Sequence, residues 1–361
     1  MRSSQCLTAW DGRWVQTDLR TLPYVQDAAA AGTNPQSRYI AEDGVCRGQR
    51  SWSWTWASSS AACPFEVPSR AQLCSRLASK SVLLYGDSLT QQFLVSIASL
   101  AGNASAWTAT ATTGRAPKGC WSRKMACFRV CDGSATVCHR AKFGLVVDEP
   151  PRPPHNCSVR ATVQPLAQSF APACIARFDV VILSEWAHWA GVDGALGLQQ
   201  CLEEAGTSPA RAARWSQGWI AQRYAEQMER NAAFLRAVVT EHAPRTRVLF
   251  RTSAPGYPPP QVLPPDVPGR GDDARAFTAP TRELGWAHAW ASALNGSETF
   301  NHHMVFGLNA AARSAYASRG LGVMDLERPM LHRVDGHLDR LHYCLPGPPD
   351  FYTHALYNYV L

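Results

Sequence analysis

Four short runs of continuous apolar residues, at positions 82–85, 180–183, 248–250 and 321–324, restrict the fold more than any other feature of the chain. None of them alternates. A strand that is apolar on both faces must be covered on both faces, which is the condition met in parallel sheets. Helical periodicity fills the intervals. Over residues 219–239, Ile220, Tyr224, Met228, Leu235 and Val239 fall near one face, with arginines and glutamates opposite. A second helix is expected over 309–318, stopping at Gly320, and a short last one over 355–361. Strand–helix alternation of this kind predicts an α/β fold, a doubly wound and mostly parallel sheet of flavodoxin type.

The alternation begins only at Ser81, so the 361 residues divide into a segment at 1–78 and an α/β domain at 79–361. The first segment reads as irregular and rich in Cys and Trp. Its Trp10, Trp14, Trp52, Trp54 and Trp56 admit two roles, core packing or a face on which sugar rings stack. Proline-rich stretches at 149–154 and 254–268 are too stiff for helix or strand and read as rims or lids over the sheet edge.

Twelve cysteines are scattered instead of paired as C-x-x-C, which points to disulfides formed in an oxidising compartment and away from zinc knuckles. Cys6, Cys46, Cys63 and Cys74 are expected to pin the first segment to its neighbour. Cys120, Cys127, Cys131 and Cys138 are expected to staple a loop. Glycosylation sequons at Asn103, Asn156 and Asn295 agree with a secretory route. The first residues show no signal peptide, and no run approaches the roughly 20 apolar residues that span a bilayer. Membrane attachment is therefore expected only through an N-terminal anchor not visible in this sequence. The net charge of +7 is dispersed, with no basic stripe, so nucleic acid is not an expected partner. A polyanionic glycan is compatible with the charge, and so is a solvated surface.

The chemistry concentrates in two places. The run at 82–85 leads into Gly86-Asp87-Ser88 and then into a helical stretch, a strand–turn–helix that exposes a hydroxyl at the carboxyl edge of a sheet beside a helix N-terminus. Far along the chain, Asp339 and His342 stand three apart, so their side chains face the same way. In that arrangement a carboxylate holds the imidazole Nδ1–H and leaves Nε2 free to take a serine proton. Asp335 with His337 makes a second acid–imidazole pair nearby, whereas Asp87 reads as a turn and capping residue. The G-x-S-x-G elbow of α/β-hydrolases is absent. His302-His303 lacks an acidic partner at ligand spacing, so no metal is expected.

Gly86-Asp87-Ser88, together with Asp339-Arg340-Leu341-His342 and the following Tyr343-Cys344-Leu345-Pro346-Gly347, resembles the GDS and DxxH signatures of the trichome birefringence-like family. Its members are polysaccharide O-acetyltransferases within the PC-esterase branch of the SGNH/GDSL-like folds. The likeness extends through Cys6 and Gly12-Arg13-Trp14-Val15, Trp54-Thr55-Trp56, Cys63-Pro64-Phe65, Phe250-Arg251-Thr252 and Arg333-Val334-Asp335-Gly336-His337. It implies Ser88 as acyl-accepting nucleophile, His342 as general base and Asp339 as its orienting carboxylate. It also implies a Golgi-lumenal or secreted enzyme with an acetyl donor as co-substrate, no bound cofactor, and a cell-wall polysaccharide as acceptor. One strand departs from the family. Where its members carry Asn-Thr-Gly-His-Trp, this chain has Ser184-Glu185-Trp186-Ala187-His188-Trp189. The Ser88 amide is one expected oxyanion donor, beside Gly86 and Asp87; the second is left between the stretch from Ser184 to His188, Arg251 and His337. A carbohydrate esterase with the same triad, and a glycan-binding protein with a degenerate site, are the alternatives.

Overall fold

The computed structural model describes residues 6, 10–17, 53–102, 120, 125–141, 157, 171–191, 194–256, 301–333, 337 and 341–361. All four apolar runs lie in one six-stranded sheet. Its strands are β3 (Ser81–Gly86), β4 (Met125–Val130), β5 (Ala135–Ala141), β6 (Val180–Ser184), β7 (Arg247–Arg251) and β8 (Gly322–Met324), in the order β4-β5-β3-β6-β7-β8. Only β4 runs antiparallel. With that edge strand set aside, the parallel strands take the order 2-1-3-4-5 of a flavodoxin-like sheet.

Strict alternation along each strand sorts the side chains into two cores. Leu83, Val181, Leu183, Val248 and Phe250 pack beneath α6 (Pro209–Glu241) and α7 (Val305–Ser318). Val82, Leu84, Val180, Ile182 and Leu249 pack beneath α1 (Arg70–Leu77), α2 (Ser88–Leu100) and α9 (Asp350–Tyr359). The remaining helices are short: α3 (Pro172–Ile175), α4 (Ala187–Ala190), α5 (Ala195–Glu204) and α8 (Glu327–Leu331). Helix α6 is 33 residues long and starts ten residues before its apolar stripe becomes visible. Its first turns are small and polar, and they bury Ala212 against Leu198 and Leu202 of α5. Helix α9 begins at Asp350, directly after Pro348-Pro349, and ends at Tyr359 instead of continuing to Leu361.

The described part of the N-terminal segment holds three regular elements between irregular stretches. β1 (Gly12–Gln16) and β2 (Trp54–Ser58) form an antiparallel pair with Trp14 opposite Trp56. Helix α1 follows, opened by a reciprocal capping box between Ser69 and Gln72. Trp10 and Trp56 are core residues, packed edge-on to each other and against Phe351 of α9. Trp14 and Trp54 are half-buried and line a cleft of about 580 Å³ that also meets Arg70, Arg333 and His354.

The disulfides correct the stapled-loop expectation. Cys127–Cys138 ties β4 to β5 across a hairpin. Cys131 instead reaches Cys74 of α1, and Cys120 reaches Cys174 of α3. Cys6–Cys63 and Cys157–Cys201 complete the five bridges between described cysteines, and Cys344 is disulfide-bonded as well. Among the described residues no helix is long and apolar enough to cross a membrane. The bridges fit a secretory-pathway or secreted protein. The three sequons, Cys46, Trp52, residues 149–154 and 257–268, Asp335 and Asp339 lie outside the described residues.

Candidate active site

In an open α/β sheet the crevice forms where the strand order reverses, outside the carboxyl ends of the two strands that diverge there. Here those strands are β3 and β6, and they end on Gly86 and Ser184. The backbones approach so closely at this point that a Cβ on residue 86 would collide with the Ser184 carbonyl and with Thr90 Oγ1. Gly86 is thus demanded by space. Asp87 follows in an extended conformation and accepts a hydrogen bond from the Leu89 N–H at 3.0 Å, which makes it the N-cap of α2. The next residue, Ser88, is the first of the helix, and its hydroxyl emerges at the switch point.

Ser88 Oγ lies 2.6 Å from His342 Nε2. With Nε2 accepting the serine proton, the imidazole hydrogen belongs on Nδ1. Three polar side chains of α2 organise the approach of the C-terminal loop. Ser88, Gln92 and Ser96 recur every four residues, so they stand in one buried row of α2. Ser88 meets His342. One turn on, Gln92 Nε2 donates to the Tyr343 carbonyl at 2.5 Å, and the Tyr343 N–H donates to Gln92 Oε1 at 3.2 Å. A further turn on, Ser96 Oγ donates to Asp350 Oδ1 at 2.6 Å, while Asp350 Oδ2 accepts from the Gly347 N–H at 3.0 Å. The loop carrying the imidazole is therefore held against the helix of Ser88 itself at three successive levels.

The remaining sequence candidates are distributed around this row. His337 is buried, bridges to Tyr343 in an antiparallel pair, and lays its ring 4.1 Å from the Tyr343 ring. Ser184 ends β6 with its hydroxyl 3.2 Å from Ser253 Oγ. His188 is half-buried on α4. Arg251 is fully buried at the end of β7. Its guanidinium stacks 4.4 Å from the Tyr352 ring and 5.9 Å from that of Phe93, with Nη2 3.4 Å from Thr90 Oγ1. His303 is a core residue hydrogen-bonded to Gln217 at 3.2 Å, and burial lowers its pKa to about 4.

Two residues of this neighbourhood carry no motif. Gln92 is one, and its signal is only the four-residue spacing from Ser88 within an apolar helix, where a buried amide must find partners. His139 on β5 is the other. It is buried against the backbone at Gly86 and Asp87, and nothing in its surroundings of Val137, Cys138 and Arg140 distinguishes it in the sequence.

No curated protein matches the chain significantly. A family model does, over residues 69–359, which takes in α1, the whole sheet, the Ser88 turn and the His342 loop. That span covers most of the molecule, and the chain belongs to the PC-Esterase family, the GDSL/SGNH-like acyl-esterases found in Pmr5 and Cas1p.

Proposed function

We propose that the protein is a polysaccharide O-acetyltransferase of the trichome birefringence-like kind, working by double displacement through an acyl-serine. The observation that carries this reading is the 2.6 Å contact between Ser88 Oγ and His342 Nε2 at the switch point of the sheet. His342 Nε2 takes the Ser88 proton as Oγ attacks the acetyl carbonyl of a donor. The protonated imidazole then returns that proton to the leaving group, and acetyl-Ser88 remains. An acceptor sugar hydroxyl enters, gives its proton to His342 and attacks the acyl carbonyl, and the released Ser88 oxygen is reprotonated. Asp339 is assigned as the carboxylate that orients the imidazole through Nδ1. The Ser88 N–H, at the positive end of α2, is assigned as one oxyanion donor, and the turn from Ser184 to His188 is assigned the second. The acceptor is a cell-wall polysaccharide of the xylan type, the donor an acetyl thioester or an acetylated intermediate, and the compartment the Golgi lumen.

Membership of an acyl-esterase family favours one alternative, in which water replaces the sugar hydroxyl in the second step. The Ser88–His342 contact supports catalysis over a degenerate glycan-binding role. Mass spectrometry of the protein incubated with an acetyl donor separates these readings. Acetyl-Ser88 is expected in the wild type, absent from Ser88→Ala, and longer-lived when acceptor glycan is withheld. Turnover of acetyl-Ser88 to free acetate, at a rate indifferent to added glycan, assigns the esterase. Absence of any acyl-Ser88 overturns the catalytic reading.

A further inference from the structure

His139 lies on β5 directly opposite Leu84 of β3, two residues before Gly86, in a parallel pairing that continues to Gly86 and Ala141. Paired residues of a parallel ladder present their side chains to the same face, and Leu84 belongs to the core beneath α2. The imidazole is thus placed under the first turn of α2. It is 6% exposed, and there it hydrogen-bonds the backbone at Gly86 and at Asp87. Both contacts favour the protonated ring, so the groups engaged are carbonyl oxygens. His139 Nε2 is buried and has no partner, which places the one imidazole hydrogen of the neutral ring on Nδ1. Burial keeps the ring neutral by lowering its pKa from 6.5 to about 4.

The Asp87 carbonyl, which also accepts from the Thr90 and Gln91 N–H groups at 3.1 Å, shares one planar peptide unit with the Ser88 N–H, so a further hold on the first bears on the direction of the second. A carbonyl that accepts a hydrogen bond also polarises its own N–H into a better donor. We propose that His139 is a positioning residue for the nucleophile turn: its Nδ1–H holds the carbonyl side of the Gly86-Asp87-Ser88 backbone so that the Ser88 N–H points at the oxyanion. This assignment rests on Ser88 being the nucleophile. The neutral ring contributes orientation and takes no proton from substrate.

The test uses the full chain with its disulfides intact and a fluorophosphonate as probe, with labelling at Ser88 followed by mass spectrometry. An Asn amide places its N–H near the position of Nδ1, whereas a Gln amide reaches toward that of Nε2. His139→Asn is therefore expected to label at close to the wild-type rate. His139→Gln and His139→Leu are expected to label about 10- to 100-fold more slowly, since a misaimed oxyanion donor costs at most the roughly 100-fold or more of a lost one. With p-nitrophenyl acetate the same variants lose kcat at unchanged KM, a split that general loosening of the sheet does not produce. If His139→Leu fails to fold, the Asn–Gln contrast decides by itself. Equal labelling of wild type and all folded His139 variants overturns the proposal, as does an Asn variant no faster than the Gln variant. A wild-type chain that takes no label at Ser88 overturns the nucleophile assignment, and this proposal with it.

Discussion

Gln92 grips Tyr343 by both of its backbone groups, accepting from the N–H and donating to the carbonyl. The residue beside the His342 imidazole is thereby fixed to the helix that begins with Ser88. One side chain meets both backbone groups of a residue 251 positions away in sequence.

Replacing Gln92 by Leu keeps the volume and removes the amide that meets both Tyr343 backbone groups. The expected loss of stability is about 1–3 kcal/mol, from two buried hydrogen bonds. Ser88 labelling should fall by more than the loss of folded protein explains, because His342 loses its register. Thermal unfolding and probe labelling on the same samples measure the two effects separately.

Gly86→Ala introduces a methyl where the Ser184 carbonyl and Thr90 Oγ1 already stand. Neither is the free end of a long side chain, so β3 and β6 must part. Overpacking of this sort costs about 1–3 kcal/mol, and the separation opens the switch point itself. Serine labelling is expected to vanish while far-UV dichroism stays near wild type; a fully reactive Ala variant contradicts the close approach described here.

The bridge Cys74–Cys131 closes 57 positions of sequence and joins α1 to the turn of the β4–β5 hairpin. Cys74→Ser paired with Cys131→Ser is expected to lower stability by about 2–4 kcal/mol, read as an earlier midpoint in guanidinium under non-reducing conditions. Activity below that midpoint should be retained, since neither cysteine touches the Ser88 row.

His139 and His303 are both kept neutral by burial, with pKa values lowered from 6.5 to about 4. Between those limits the unfolded chain binds protons that the folded chain refuses. Their contribution to stability is therefore complete above pH 6.5 and is lost as pH falls toward 4, at up to about 1.4 kcal/mol per pH unit for each ring. His303→Gln keeps a polar partner for Gln217 and should remove one ring's share of that acid slope. Denaturation midpoints across pH 4–7 provide the comparison.

The sequence makes the parallel core legible because a strand buried on both faces announces itself as a continuous apolar run, as at residues 180–183. It hides β4, which mixes buried with exposed positions, and β5, whose buried run includes the polar His139; both carry cysteines, so Cys127 and Cys138 look like staples when they are cross-strand neighbours. It hides β1 and β2 for another reason. Each is five residues long, and the strand it pairs with lies about forty residues away. At the site, Ser88 and His342 are readable from motif and order. Gln92 and His139 act on backbone groups, and a residue that serves a carbonyl or an amide leaves no chemical signature of its own.

Both ends of the chain close on each other. Trp10 packs against Phe351 and Tyr359, Tyr359 donates to the Cys63 carbonyl at 3.1 Å, and Asn358 exchanges hydrogen bonds with the Glu66 backbone. These contacts join residues about 290 to 340 positions apart. Closing loops of that length costs entropy before any contact returns it, so α9 is expected to dock late in folding and to leave early in unfolding. The loop that brings His342 to Ser88 is thus secured by the least local contacts of the fold.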